Sequence, residues 1–226
     1  MSQARRGHLR LVSTGELPTA PAGPASAVPQ VGSISDRDLA RRLARVELVS
    51  MDRAIWRHMS PGEHSAPDSG AGAIRSGGRF NPRGSFPVVY GCLGRDTAGA
   101  EFRRLARRHP IGIDNLLPRH LYRFRIRSQM TLDLRLASVQ TVLGLPQTGQ
   151  VSIHRAHSQL IGEVARALGI DVIIAPSITG EGAMAAIFPE LISRSAWEFR
   201  HMEIWISATD IPGTRDLDSA APEMIG

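Results

Sequence analysis

Residues 76–108 constrain the fold more than any other stretch, because a turn, a strand and a helix follow one another there. Ser76-Gly77-Gly78-Arg79-Phe80-Asn81-Pro82 holds two adjacent glycines, which permit a tight and close backbone approach, and an arginine projects straight after them. A strand is expected over 87–92, carrying Val88-Val89-Tyr90 with Tyr90 pointing opposite to Val89. Asp96 or Thr97 then caps a helix running to about Arg108, which His109-Pro110 ends. On its wheel Ala98, Phe102 and Leu105 form an apolar stripe, and Arg103, Arg104 and Arg107 face away. Glu101 falls on the flank of that stripe as a semi-buried carboxylate.

The remaining segments surround this unit without a strict βαβ rhythm. Residues 1–33, rich in Pro, Ala, Gly and Ser, read as a disordered leader. Ser35-Asp36-Arg37-Asp38 opens a helix over 36–47, placed with 34–50 outside the core. Ala54-Ile55-Trp56-Arg57 is the first expected strand, and 60–75 a long loop. Leu121–Ile126 alternates as a strand with an arginine-rich face, and Met130–Leu134 is a second. A helix over 152–168 is closed by Gly169. Asp171–Ala175 is a buried strand halted by Pro176, which leaves Ser177 just past its end. Further strands are expected at 185–188 and 203–205, then a loosely held tail from 207. Short strands mixed with a few helices predict an α+β domain over 51–206.

Composition excludes several function classes. All 27 basic residues are arginine, so a P-loop lysine, a Schiff base and a lysine general base are all absent. The net charge of +6 favours polyanionic partners, and arginine forks suit a pyrophosphate as well as a nucleic acid. No recognisable nucleic-acid-binding motif is present, and no apolar run reaches the ~18 residues of a membrane span. Cys92, the one cysteine, rules out an internal disulfide framework, fits a reducing cytoplasm and reads as a small buried hydrophobe.

His154 and His157, spaced i,i+3, lack a convincing third ligand and read as surface histidines; no metal is expected. Ser177 sits in no G-x-S-x-G elbow, which argues against a serine hydrolase. Arg79, Tyr90 and Glu101 are harder to dismiss. A guanidinium beside a glycine turn, a ring able to stack on a flat base and a carboxylate near a core face suit a phosphate-bearing ligand. Residues alone also allow Glu101 to be a solvated helix glutamate paired with Arg104 or Arg108.

The runs Ile55-Trp56-Arg57, Gly77-Gly78-Arg79-Phe80-Asn81-Pro82-Arg83-Gly84, Val88-Val89-Tyr90 and Ala100-Glu101 resemble the RES-domain family. So do Gly169-Ile170-Asp171, Ala175-Pro176-Ser177 and Ala186-Ile187-Phe188-Pro189, and the resemblance covers about 53–205. It implies an ADP-ribosyltransferase-like mixed or antiparallel β core with flanking helices. It also implies a toxin of a toxin–antitoxin pair that consumes NAD by hydrolysis or phosphorolysis, or that transfers ADP-ribose to a protein. The name-giving arginine, glutamate and serine match Arg79, Glu101 and Ser177, and Arg57 and Tyr90 match further pocket positions. The implied roles are Glu101 stabilising the ribosyl cation, Arg57 and Arg79 clamping pyrophosphate, Tyr90 bordering nicotinamide, and Ser177 bonding the amide or a ribose hydroxyl. No cofactor is expected; NAD is the substrate, with inorganic phosphate as a co-substrate of phosphorolysis. The expected partner is an Xre-type helix-turn-helix antitoxin, in the cytoplasm, with a homodimer left open and neither nucleic acid nor membrane bound directly. The alternative outside enzymology is a non-catalytic nucleotide- or nucleic-acid-binding module that uses the arginines alone. Gly182-Ala183-Met184 is apolar where some members carry a polar residue.

Overall fold

A computed structural model describes residues 35–62, 66–145 and 155–213. The expected leader, His154 and the tail beyond 213 lie outside the described residues. Among the described residues six strands and five α-helices follow in chain order: α1 (Asp36–Leu43), β1 (Val49–Met59), α2 (Ala71–Ser76), β2 (Val89–Cys92), α3 (Arg95–Arg108), β3 (Arg119–Asp133), α4 (Ala137–Leu143), α5 (Arg155–Ala167), β4 (Val172–Pro176), β5 (Ala183–Ile187) and β6 (Trp197–Trp205). The architecture is α+β, one mixed sheet with flanking helices, as the sequence leads one to expect.

The long β3 organises the sheet. One of its edges pairs with β1 from His120↔Met59 to Thr131↔Val49. Its other edge is shared: Arg119–Ile126 pairs antiparallel with β6, and Thr131–Asp133 pairs parallel with β4. β4 continues antiparallel to β5, β5 to β2, and β2 returns to β1 through Trp56↔Cys92. The strands β1-β2-β5-β4-β3 therefore close into a ring, and β6 extends the first half of β3. The two runs expected at 121–126 and 130–134 are thus a single strand. Its alternation fades towards the end, where Thr131, Leu132 and Asp133 are all buried, as befits a strand covered on both faces.

One apolar cluster lies between the sheet and α1, α4 and α5, around Leu39, Leu43, Phe80, Leu132, Ile161, Ile173 and Phe188. The helix placed outside the core by sequence reading is therefore part of it. Leu39 and Leu43 are 0% and 2% exposed, and β1 begins directly afterwards at Val49. Ser35 caps α1 by accepting from the Asp38 amide at 3.2 Å. A second cluster fills the ring around Ile55, Ile126, Val172 and Ile187. A third lies under α3, where Phe102 meets Cys92, Leu121, Trp205 and Ile211.

The tail is held at its start: Ser207 and Asp210 form a reciprocal capping box and Ile211 is 1% exposed. A Cβ on Gly99 of α3 would lie 2.4 Å from the Pro212 carbonyl oxygen, so this segment rests directly on the helix. In α3 itself Gly94 is the N-cap rather than Asp96 or Thr97, and Thr97 is buried. Ala106 takes the stripe position beside Ala98 and Phe102, while Leu105 is 36% exposed. No described helix is long and apolar enough to cross a membrane.

Candidate active site

The glycine turn is built by its neighbours. Gly77 ends α2 at φ 65°, a left-handed value that costs a glycine little. A Cβ on Gly78 would lie 2.4 Å from the Tyr90 ring and hydroxyl, so this glycine makes room for Tyr90. The Tyr90 hydroxyl accepts from the Phe80 amide and donates to Asn81 Oδ1, each at 2.8 Å. Asn81, 0% exposed, donates through Nδ2 to the carbonyls of Ala73 at 2.9 Å and Phe86 at 3.2 Å. Gln159 on α5 donates to the carbonyls of Gly78 and Asn81 at 3.0 and 3.1 Å. Burial holds the Tyr90 phenol well above its usual pKa. Its hydroxyl is a brace for the loop, and its ring remains as cavity wall.

That bracing aims Arg79. Its Nη1 donates to the carbonyl of Pro176, the last residue of β4, at 2.7 Å, and the guanidinium lies 5.3 Å from the Phe80 ring centroid. Burial lowers the Arg79 pKa, and the Glu101 charge acts in the opposite sense. Arg57 on β1 donates from Nη1 to the Tyr90 carbonyl at 3.3 Å.

Glu101 projects from α3 towards the same place. Ser177, one residue past β4 and 5% exposed, donates from Oγ to Glu101 Oε1 at 2.7 Å. The carboxylate takes the single hydroxyl proton of Ser177, so the Thr179 hydroxyl, 2.7 Å away, is the donor in that pair. The Thr179 amide also donates to Ser177 Oγ, at 3.1 Å. Glu101 is thus held by a serine from across the fold rather than by Arg104 or Arg108 of its own helix.

Arg57, Arg79, Tyr90 and Glu101 line one cavity of about 730 Å³, together with Trp56, His58, Arg75, Cys92, Leu105 and Met184. Ser177 joins them through Glu101. All five residues singled out by sequence therefore gather at one place, with Tyr90 and Ser177 doing positioning work through their hydroxyls. Burial pushes the Cys92 thiol up to about 12, which suits the expected small hydrophobe and not a thiolate. Asn81, Gln159 and Thr179 were not foreseen; Asn81 could have been suspected as the turn-forming residue after the glycines. His58 was also missed, since it follows Arg57 in a strand and stands in no motif of its own. Among the described residues no group of three or more His, Cys, Asp or Glu side chains is placed to hold a metal ion.

No curated protein matches the sequence. In structure the chain is similar to a chain of the M. tuberculosis MbcT-MbcA toxin–antitoxin complex, with a TM-score of 0.67 and 20% identity, over 77% of this chain and 96% of that one. At that identity the likeness concerns the fold. The family model described as RES domain matches residues 54–204, more than half of the chain and the whole span from Trp56 to Ser177 that builds the cavity. The chain belongs to the RES-domain family.

Proposed function

We propose that this chain is the toxin of a toxin–antitoxin pair and that it cleaves the nicotinamide–ribose bond of NAD. The observation that carries this reading is the hydrogen bond from Ser177 to Glu101, a carboxylate that lines one cavity with Arg57 and Arg79. A carboxylate held by a neutral donor keeps its charge while its direction is set, which suits stabilisation of a developing ribosyl cation. Cleavage expels nicotinamide as a neutral base from a cationic ring, so no general acid is needed. The two arginines clamp the pyrophosphate and fix the ribose against Glu101. Water or inorganic phosphate then meets the cation, giving hydrolysis or phosphorolysis.

The sheet, closed around β3, supports an ADP-ribosyltransferase-like relationship on the same reading. The expected partner is an antitoxin protein, of Xre type by family resemblance, and the expected compartment is the cytoplasm. Incubation of the purified chain with NAD tests the activity: nicotinamide is released by wild type and not by Glu101→Gln. Buffers with and without phosphate separate the routes, since only phosphorolysis needs phosphate and yields ADP-ribose-1″-phosphate. Transfer of label from NAD to a macromolecule, with no small-molecule product, would instead indicate a protein ADP-ribosyltransferase.

A further inference from the structure

His58 on β1 follows Arg57 and lines the same cavity. Its ring lies against Phe102 of α3, with centroids 5.3 Å apart, and near Trp205 of β6 at 6.4 Å. Arg119 Nη2 stands 3.2 Å from His58 Nδ1. A guanidinium can only donate, so Nδ1 is the acceptor and the proton of the neutral ring sits on Nε2. Nε2 has no hydrogen-bond partner among the described residues. With Nδ1 engaged by Arg119, Nε2 is the ring nitrogen left to a ligand in the cavity that His58 lines.

The charged and titratable groups around this ring oppose its protonation. Arg119 from β3 and Arg57 from β1 both repel an imidazolium, and burial adds the largest contribution, holding its pKa at about 3. Cys92 on β2 is a protonated thiol. Glu203 on β6 is occupied by Arg95 at 2.7 Å and by Trp205 Nε1 at 3.1 Å. Glu101 on α3 is bonded to Ser177. His58 is thus a neutral donor of fixed tautomer at the aromatic end of the cavity, near Trp56 and beside the turn of α3 that carries Glu101.

We infer that His58 determines specificity, its Nε2–H donating a hydrogen bond to a carbonyl oxygen on the flat base of the substrate. The hydroxyls at the cavity are already committed, and the Trp56 indole N–H is the other neutral side-chain donor on its wall. The Tyr90 hydroxyl proton goes to Asn81 and the Ser177 proton to Glu101, and the arginines are the natural partners of phosphate. The identity of the base rests on the proposed NAD reading, in which it is nicotinamide and the acceptor is its carboxamide oxygen. A site with a fixed donor rejects an analogue that lacks the acceptor, because the donor is then left unpaired.

The test compares kcat/KM of wild type, His58→Gln and His58→Phe on NAD and on the dinucleotide whose base is unsubstituted pyridine. Each variant is referred to wild type on the same substrate, which cancels the difference in leaving group. The expected result is a loss of about tenfold to a hundredfold for His58→Phe on NAD, little change on the pyridine dinucleotide, and partial retention by His58→Gln, whose amide also donates. The wild-type profile shows no inflection near pH 6.5 that these variants remove. Equal losses on both dinucleotides, or such an inflection, overturn the inference. Should wild type release a base from neither dinucleotide, the NAD reading fails by itself. His58 is then judged on wild-type protein from its Nε2 nitrogen resonance. A shift on adding nicotinamide upholds the donor role, and an unmoved resonance overturns it.

Discussion

Ser177 has one hydroxyl proton, and Glu101 takes it. The serine therefore acts on the substrate through the direction it gives the carboxylate. Removing the carboxylate charge and removing its positioning should separate in kinetics. Glu101→Gln is expected to lower kcat for nicotinamide release at least about a thousandfold, with its melting temperature within a few degrees of wild type. Ser177→Ala is expected to lower kcat by about tenfold to a hundredfold and leave KM near wild type, because the pyrophosphate clamp is untouched. Steady-state rates for the two variants check both.

His58 carries a second residue-scale expectation, in stability. Its folded pKa of about 3 lies below the usual value near 6.5. The unfolded chain therefore takes up a proton below about pH 6.5 that the folded chain refuses. The stability this neutral histidine contributes is present above pH 6.5 and is lost as pH falls towards 3. Wild type should accordingly lose roughly 1 kcal/mol per pH unit over that window relative to His58→Phe, measured by urea unfolding at successive pH values.

At the scale of elements, the loop 77–82 is a rigid platform. Tyr90 from β2 and Gln159 from α5 bond its backbone groups on two sides, and Asn81 Nδ2 ties it on a third to the Ala73 and Phe86 carbonyls. Gly162 of α5 closes the fourth, since a Cβ there would meet the Phe80 carbonyl oxygen at 1.8 Å. Tyr90→Phe leaves the Phe80 amide and Asn81 Oδ1 without their partner and should cost about 1–3 kcal/mol. Gly78→Ala drives a methyl into the Tyr90 ring and should cost a similar ~1–3 kcal/mol. In both, KM should rise more than stability alone explains, because Arg79 loses its aim; denaturant titration beside steady-state kinetics reads the two effects.

Elements with strong local signals were legible from sequence. The alternation of Leu121–Ile126, the cap at Ser35 and the run Asp171–Ala175 stopped by Pro176 each became the expected kind of element. The five site residues were visible because each stands in a short motif, but their contacts were not. The bond from Ser177 to Glu101 joins the end of β4 to a helix seventy-six positions earlier, and periodicity carries no information at that range. Leu105 was assigned to the stripe because its spacing permits it; the tertiary position of α3 turns Ala106 inward instead. The helix expected over 36–47 falls outside the core in a sequence reading because amphipathicity reveals an apolar face without revealing what covers it.

At the scale of the whole molecule, β3 has both edges paired along most of its length, with β1 on one side and β6 then β4 on the other. Its backbone amides should be the last to exchange with solvent, and those of β6, paired only with β3 among the described residues, should exchange sooner. Hydrogen exchange followed by mass spectrometry reads this order directly. The same ring sets the site: β1 supplies Arg57 and His58, β2 supplies Tyr90, and β4 delivers Ser177 opposite α3.

The most direct test of the account is nicotinamide release from NAD by the purified chain, followed by proton NMR for wild type and Glu101→Gln side by side. The account predicts that wild type releases free nicotinamide and that Glu101→Gln, folded equally well, releases none above the uncatalysed rate. Release by Glu101→Gln at the wild-type rate, or intact NAD after prolonged incubation with wild type, would contradict it.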